Sequence, residues 1–229
     1  MKKSKAAGFR GFSPVALTFL RGLAIHNDRA WFGARKHIYE SELLEPLGAL
    51  VADASHALRK AKIPIAADPQ RPAFRIYRDI RFSPDKRPYK TNLGAYLPHR
   101  GERDRPGGLY VHIQPKQSFM AVAYYQLDKP LLTRWRAAMA KNPKRFQTML
   151  RALQRRGLQL SEEGESLMRM PRGFEAHAGS PIAKYFRMGS FTVAERLSDR
   201  DVQSPRLIQK MVSMAKKAKP LLDYGESVL

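Results

Sequence analysis

The stretch from Arg75 to Asn92 concentrates side chains able to bind or transform a ligand. It holds Arg75, Arg78, Arg81, Lys86, Arg87 and Lys90, with Asp79, Asp85, Tyr77, Tyr89, Ser83 and Thr91 among them. Guanidinium groups present planar, paired donors that suit carboxylate and phosphate oxygens, whereas ammonium groups act as point charges. Arg75 and Arg81, placed on one strand face, would grip a single anionic group. Lys86 and Lys90 would add charge, and Ser83, Tyr89 and Thr91 would donate hydrogen bonds to the same oxygens. Asp79 and Asp85 would orient the guanidinium groups, or act as base or metal ligand. The competing reading is an internal Arg–Asp network that only fixes the loop.

Three further groups carry chemistry. Asn27-Asp28-Arg29-Ala30-Trp31-Phe32 is followed by Arg35 and Tyr39, and Trp31, Arg35 and Tyr39 fall near one helix face. Trp31 and Phe32 read as core residues, while Arg35 and Tyr39 are placed to line a cleft. On the strand Leu109–Ile113 and just beyond it, Tyr110, His112 and Gln114 share a face. There His112 is a candidate general acid or base, or else a solvated strand histidine. From Arg134 to Arg156 come Arg134, Arg136, Lys141, Lys144, Arg145, Arg151, Arg155 and Arg156 without one acidic residue. They form either a ridge for nucleic-acid phosphates or a solvated helix face.

These groups need elements to position them. Ser13-Pro14 reads as the cap and first residue of a helix with Leu17, Leu20 and Leu23 on one side. Asn27 caps a second helix, which carries Trp31 through Tyr39. Glu45-Pro46 opens a third, with Leu47, Leu50, Val51, Ala54 and Leu58 as its apolar stripe. Phe74 to Arg78 alternates as a half-buried strand does, and Pro84 and Pro88 make 83–92 a loop. Ala95–Leu97 is a short strand. Residues 100–108 form a flexible loop. Leu109–Ile113 and Ser118–Tyr125 pair as an antiparallel hairpin. Helices return at Leu131–Ala140, after Asn142-Pro143 as far as Gly157, and after Ser204-Pro205, with irregular segments around Pro171 and Pro181. The fold class expected is α+β: a single domain with a mostly antiparallel central sheet flanked by N-terminal and C-terminal helices. Residues 1–8 are expected to be a mobile basic N-terminus and 9–229 the domain.

Composition narrows the classes. The 229 residues contain no cysteine, which removes disulfides, thiolate catalysis and cysteine-based zinc sites. The six histidines lack metal-ligand spacing, and no GxSxG elbow, Walker A loop or GxGxxG turn is present. No metal site and no particular cofactor is indicated. No run approaches the roughly 18 apolar residues of a membrane span. The basic N-terminus lacks a following apolar region with a cleavage site, so a cytoplasmic location is expected. The formal net charge is +22. The basic excess is spread along the chain: 10 basic against 5 acidic residues in 1–60, 11 against 5 in 61–110, and 21 against 10 in 111–229. A folded body this basic attracts polyanions.

Four segments, Asn27–Phe32, Arg75–Thr91, Gly107-Gly108-Leu109-Tyr110 and Met170-Pro171-Arg172-Gly173-Phe174, together resemble the domain of unknown function 2461 family, a conserved hypothetical protein family of bacteria and fungi. The resemblance covers roughly residues 9–225 and implies a soluble, single-domain protein. It supplies no activity. The 75–91 segment is the family's signature, which suits an active or binding site.

The functional expectation is therefore an anion pocket for a phosphate or carboxylate group, from an anionic small molecule, a nucleotide or nucleic acid. Arg35, Tyr39, Arg75, Arg78, Arg81, Ser83, Lys86, Tyr89, Lys90, Thr91 and Tyr110 would bind it. One alternative is a hydrolase or phosphodiesterase using Asp79 or Asp85 with His112. Another is a basic nucleic-acid interaction module built on the 134–156 ridge.

Overall fold

A computed structural model describes residues 8–67, 74–102, 104–162 and 166–229. The expected mobile N-terminus falls almost wholly outside them. The lead-in from Phe9 to Phe12 is already packed: Phe9 and Phe12 are buried edge to face, and the Phe9 N–H donates to Asp53 Oδ2 at 2.7 Å.

Ser13 caps α1 (Pro14–Ile25) by accepting from the Ala16 N–H. The second helix departs from expectation. Asp28, not Asn27, caps α2 (Arg29–Ala34) by accepting from the Trp31 N–H. The helix stops at Arg35, where φ is −120°. The chain resumes in the single turn α3 (Lys36–Ile38) and a π-helical turn, Tyr39–Leu44, that runs into α4 (Glu45–Lys60). Every residue of the predicted stripe of α4, from Leu47 to Leu58, is buried.

The strands β1 (Leu93–Pro98), β2 (Gly108–Ile113), β3 (Phe119–Tyr124) and β4 (Phe191–Arg196) form one antiparallel sheet in the order β1-β2-β3-β4. The predicted hairpin is β2–β3, with Val111 opposite Met120. The expected strand at 74–78 is reduced to one bridge, Tyr77 opposite Tyr89. The N–H of Arg78 donates to the Pro88 carbonyl at 2.9 Å, and that of Lys90 to the Ile76 carbonyl at 2.7 Å. Pro88 has no N–H to return, so the ladder ends there. Single bonds also occupy the outer edges of the sheet. Phe74 donates to the Gly94 carbonyl and Ala66 to that of Pro98 along β1, and Ser161 donates to the Thr192 carbonyl along β4.

Period-2 geometry gives the sheet two unlike faces. Leu93, Ala95, Leu97, Leu109, Val111, Ile113, Met120, Val122, Tyr124, Phe191 and Val193 are buried on one. On this core side lie α5 (Lys129–Lys141), α6 (Pro143–Gln154), α9 (Leu207–Lys217) and α10 (Lys219–Glu226), after the short α7 (Ala183–Arg187) and α8 (Asp199–Val202). Trp135 of α5 stacks on Phe191 at 4.2 Å and meets Tyr124 and Tyr224 at 5.1 and 5.2 Å. The 100–108 loop is tied down, since Arg100 and Arg105 both donate to Glu226 Oε1 of α10. No helix among the described residues is long and apolar enough to cross a membrane. The whole is one α+β fold built on an antiparallel sheet.

Candidate ligand face and the arm that frames it

The other face of the sheet carries Gly94, Tyr96, Tyr110, His112, Phe119, Thr192 and Ala194, whose larger side chains are half-buried. Two glycines set its shape. A Cβ at Gly94 would stand 2.7 Å from the Tyr110 hydroxyl, and one at Gly108 would stand 2.7 Å from the Tyr96 ring. Each tyrosine therefore lies across the neighbouring strand in space that only glycine leaves. Tyr110 meets Phe74 at 5.9 Å and Phe119 at 5.8 Å, both edge to face. The His112 ring stacks on Phe119 at 4.7 Å. Lys90 holds its ammonium 5.6 Å above the Phe74 ring.

A polar row crosses these rings. The Tyr110 hydroxyl lies 3.0 Å from His112 Nδ1, and His112 Nε2 lies 2.9 Å from Gln114 Oε1. An amide oxygen only accepts, so Nε2 carries the proton and Nδ1 accepts from Tyr110. The Asn92 amide nitrogen faces the same Nδ1 at 3.4 Å. Burial lowers the His112 pKa and raises that of Tyr110, which keeps both groups neutral at pH 7.

The arm 74–92 borders this face, and Asn27 anchors it. The Tyr89 N–H donates to Asn27 Oδ1 at 2.9 Å, and Asn27 Nδ2 donates to the Tyr89 carbonyl at 3.0 Å. The Tyr89 ring stacks on Phe32 at 4.2 Å and meets Tyr77 at 5.3 Å. Two of the sequence segments, 27–32 and 75–91, thus form one joint. Tyr39 belongs to its buried side: it is 6 % exposed, packs on Phe19 and Phe32, and burial pushes its pKa up to about 12. It lines no cleft. Arg35 is exposed, with its guanidinium 4.7 Å over Trp31.

At the tip of the arm the charges pair with each other. Arg81 places two nitrogens on Asp79, at 3.0 and 2.7 Å. Arg87 repeats the pattern on Asp85, which also accepts from Arg78 Nη1 at 2.5 Å. Ser83 stands at the outer limit of hydrogen bonding from Arg78, at 3.5 Å, and Lys86 donates to the Ile80 carbonyl at 3.0 Å. Arg78, Arg81, Ser83 and Lys86 are therefore engaged in holding the tip. Arg75 is exposed and has neither an ion pair nor a hydrogen bond among the described residues. Thr91 is half-buried and likewise makes no side-chain hydrogen bond there. No contact among the described residues joins Asp79 or Asp85 to His112, so the proposed acid–base set is not assembled. No group of three or more acidic or histidine side chains there could hold a metal ion.

Hydrogen bonds from Arg81 hold the Asp79 carboxyl down at about 2, and those from Arg87, then Arg78, hold Asp85 lower still. Carboxylates this depressed are weak bases at neutral pH. Their folded pKa values lie below the unfolded value of about 3.9, so their contribution is complete above that value and fades as pH falls. Protection of the arm tip is expected to fall progressively below about pH 4, with Asp79 titrating at about 2 and Asp85 releasing its arginines only below that. Hydrogen exchange over residues 79–87 measures it, and Asp85→Asn should show the opening at neutral pH. Unchanged protection down to about pH 2 would refute the clip.

Asn27 as anchor was not visible from sequence, where it read as a cap. The second joint residue, Phe32, read only as core. No curated protein and no solved structure matches the chain. The family of conserved hypothetical proteins described as DUF2461 matches residues 15–224, a span that holds the anchor at Asn27, the whole arm and all four strands, and the chain belongs to that family.

Proposed function

We propose that the protein binds a nucleotide, or a nucleotide unit of a nucleic acid, on the ring-bearing sheet face beside the arm. The observation that carries this reading is the continuous surface Phe74–Tyr110–Phe119–His112, with the Lys90 ammonium at its margin. Aromatic rings on an open sheet stack bases without needing a particular sequence. Lys90 and Arg75 supply the cations for the phosphate, with Thr91 as a neighbouring hydroxyl. Asn92 and Gln114 offer amides to a base edge. Arg78, Arg81, Asp79, Asp85, Ser83, Lys86 and Tyr89 serve as the frame. This assigns recognition, not hydrolysis, to the 75–91 segment.

The test is calorimetric titration with AMP, ATP and inorganic phosphate. Phe119→Ala is expected to weaken nucleotide binding about tenfold and to leave phosphate binding unchanged, because a stacked base is worth about 1–3 kcal/mol. Lys90→Ala is expected to weaken both. Nucleotide affinity unmoved by either variant would sink the reading.

A second reading, binding of a nucleic-acid backbone by α5 and α6, has its own support. Arg136 leaves the ridge: it is buried, and its Nε donates to the Phe186 carbonyl at 2.8 Å. Arg134 donates to the Leu229 backbone oxygen at 3.2 Å, whereas Lys141, Lys144, Arg145, Arg151, Arg155 and Arg156 are exposed and none pairs with a carboxylate among the described residues. In the arm, by contrast, most cations are paired. Unpaired charge is what releases counterions from a polyanion.

A further inference from the structure

Helix α6 turns Phe146, Met149 and Leu153 into the core. Helical spacing puts Lys144, Arg151 and Arg155 on the opposite side, in a line about 16 Å long. At Arg151 this line meets a shallow groove of about 230 Å³, lined by Gln147, Leu150, Arg151, Pro181, Ile182 and Tyr185. The groove lies below the roughly 300 Å³ at which sites for whole drug-sized ligands begin, so it suits one part of a larger ligand. Its floor is apolar and partly aromatic. Tyr185 is half-buried against Phe146 at 5.2 Å and carries the Lys184 ammonium 5.2 Å from its ring centre. The adjacent carboxylate, Glu162, is neutralised by Lys184. Gln147 supplies both a donor and an acceptor at the rim.

We propose that this surface binds single-stranded nucleic acid, its backbone following Lys144, Arg151 and Arg155 and one base seated in the groove over Tyr185. The proposal rests on the second reading above and adds the kind of strand to it. A row of unpaired cations alone accepts any polyanion. A groove for a single ring system discriminates, because a duplex keeps its bases paired and stacked and cannot offer one. The sheet face plays no part in this contact.

The experiment is fluorescence anisotropy of the full chain with a labelled fifteen-nucleotide single strand, the matching duplex and vesicles containing phosphatidylserine, across a salt series. The single strand is expected to bind about tenfold more tightly than the duplex, from the one stacked base. Lys144→Glu, Arg151→Glu and Arg155→Glu together should lower the affinity at least a hundredfold and flatten the salt slope by about 2. Gln147→Glu alone should remove the preference for the single strand while leaving duplex binding within about threefold. Circular dichroism and Tm identify any variant that has lost its fold, and Gln147→Glu, at a half-buried rim position, decides the matter if the triple variant has. Equal binding of duplex and single strand, both lost in the triple variant, would overturn the groove assignment and leave the polyanion reading standing. Undiminished binding by a folded triple variant would overturn both. Binding to vesicles without binding to the oligonucleotide would overturn the choice of nucleic acid.

Discussion

Replacing Asn27 with alanine is expected to destabilise the protein by about 3 kcal/mol, since it strips two buried backbone groups of their partners at about 1–3 kcal/mol each. The reason lies in the geometry of the bridge at Tyr77 and Tyr89. The bonds that close it run from the residues on either side, Arg78 to Pro88 and Lys90 to Ile76. The N–H and carbonyl of Tyr89 therefore point away from the partner segment, and Asn27 meets both with one amide. Asparagine matches a peptide group in shape and polarity, so it takes the place that a third strand would hold. Asn27→Asp keeps the acceptor for the N–H and loses the donor to the carbonyl, so it should fall between wild type and alanine. Urea denaturation gives the stability change, and hydrogen exchange on residues 76–90 shows whether the loss is local. A cost under about 0.5 kcal/mol would mean that the Phe32–Tyr89 stack suffices without the amide.

Trp135→Ala is expected to be the most damaging core substitution, at about 3–5 kcal/mol. That is a large share of the roughly 5–15 kcal/mol by which a domain of this kind is stable. Trp135 is fully buried and touches Phe191 of β4, Tyr124 of β3 and Tyr224 of α10, so the cavity would open where the sheet and three helices meet. Nothing near it can swing in to fill the space, since Phe146 already packs on Phe191 and Tyr224. Trp135→Phe should cost distinctly less than the lost area implies. The indole Nε1 is buried without a hydrogen-bond partner among the described residues, and its removal relieves an unsatisfied donor. Denaturation midpoints for the two variants check both statements, and equal costs would remove the argument from the orphan donor.

Local chemistry made much of the fold legible. Ser13-Pro14 and Asn142-Pro143 announced their helices because a cap and its proline act within one turn. The β2–β3 hairpin was legible because β2 alternates and the turn-like Pro115-Lys116 separates it from the apolar run of β3. What stayed hidden depends on distance along the chain. Asn27 reaches Tyr89 across 62 residues, and nothing in its own neighbourhood separates that role from capping. β4 follows an irregular segment and buries only Phe191 and Val193 in its interior alternation, too short a signal to mark a strand. Residues 219–226 form α10, which had no cap residue to announce it. Arg136 read as one more ridge cation, although its helical position relative to Trp135 and Met139 turns it inward. The pairing at the arm tip was closer to the surface of the sequence. Asp79-Ile80-Arg81 and Asp85-Lys86-Arg87 repeat one spacing, and in each the carboxylate takes the backbone N–H and the guanidinium two residues on.

The single bonds along the outer strands have a consequence for how the molecule behaves in company. An uncovered strand edge is a template on which another chain can add. Here Phe74, at the root of the arm, and Ala66 occupy β1, while Ser161 occupies β4. The arm is thus a guard rail as well as a frame. When it frays, a row of peptide groups is handed to any neighbouring copy, and the first sign of damage at Asn27 would be crowding of the protein upon itself.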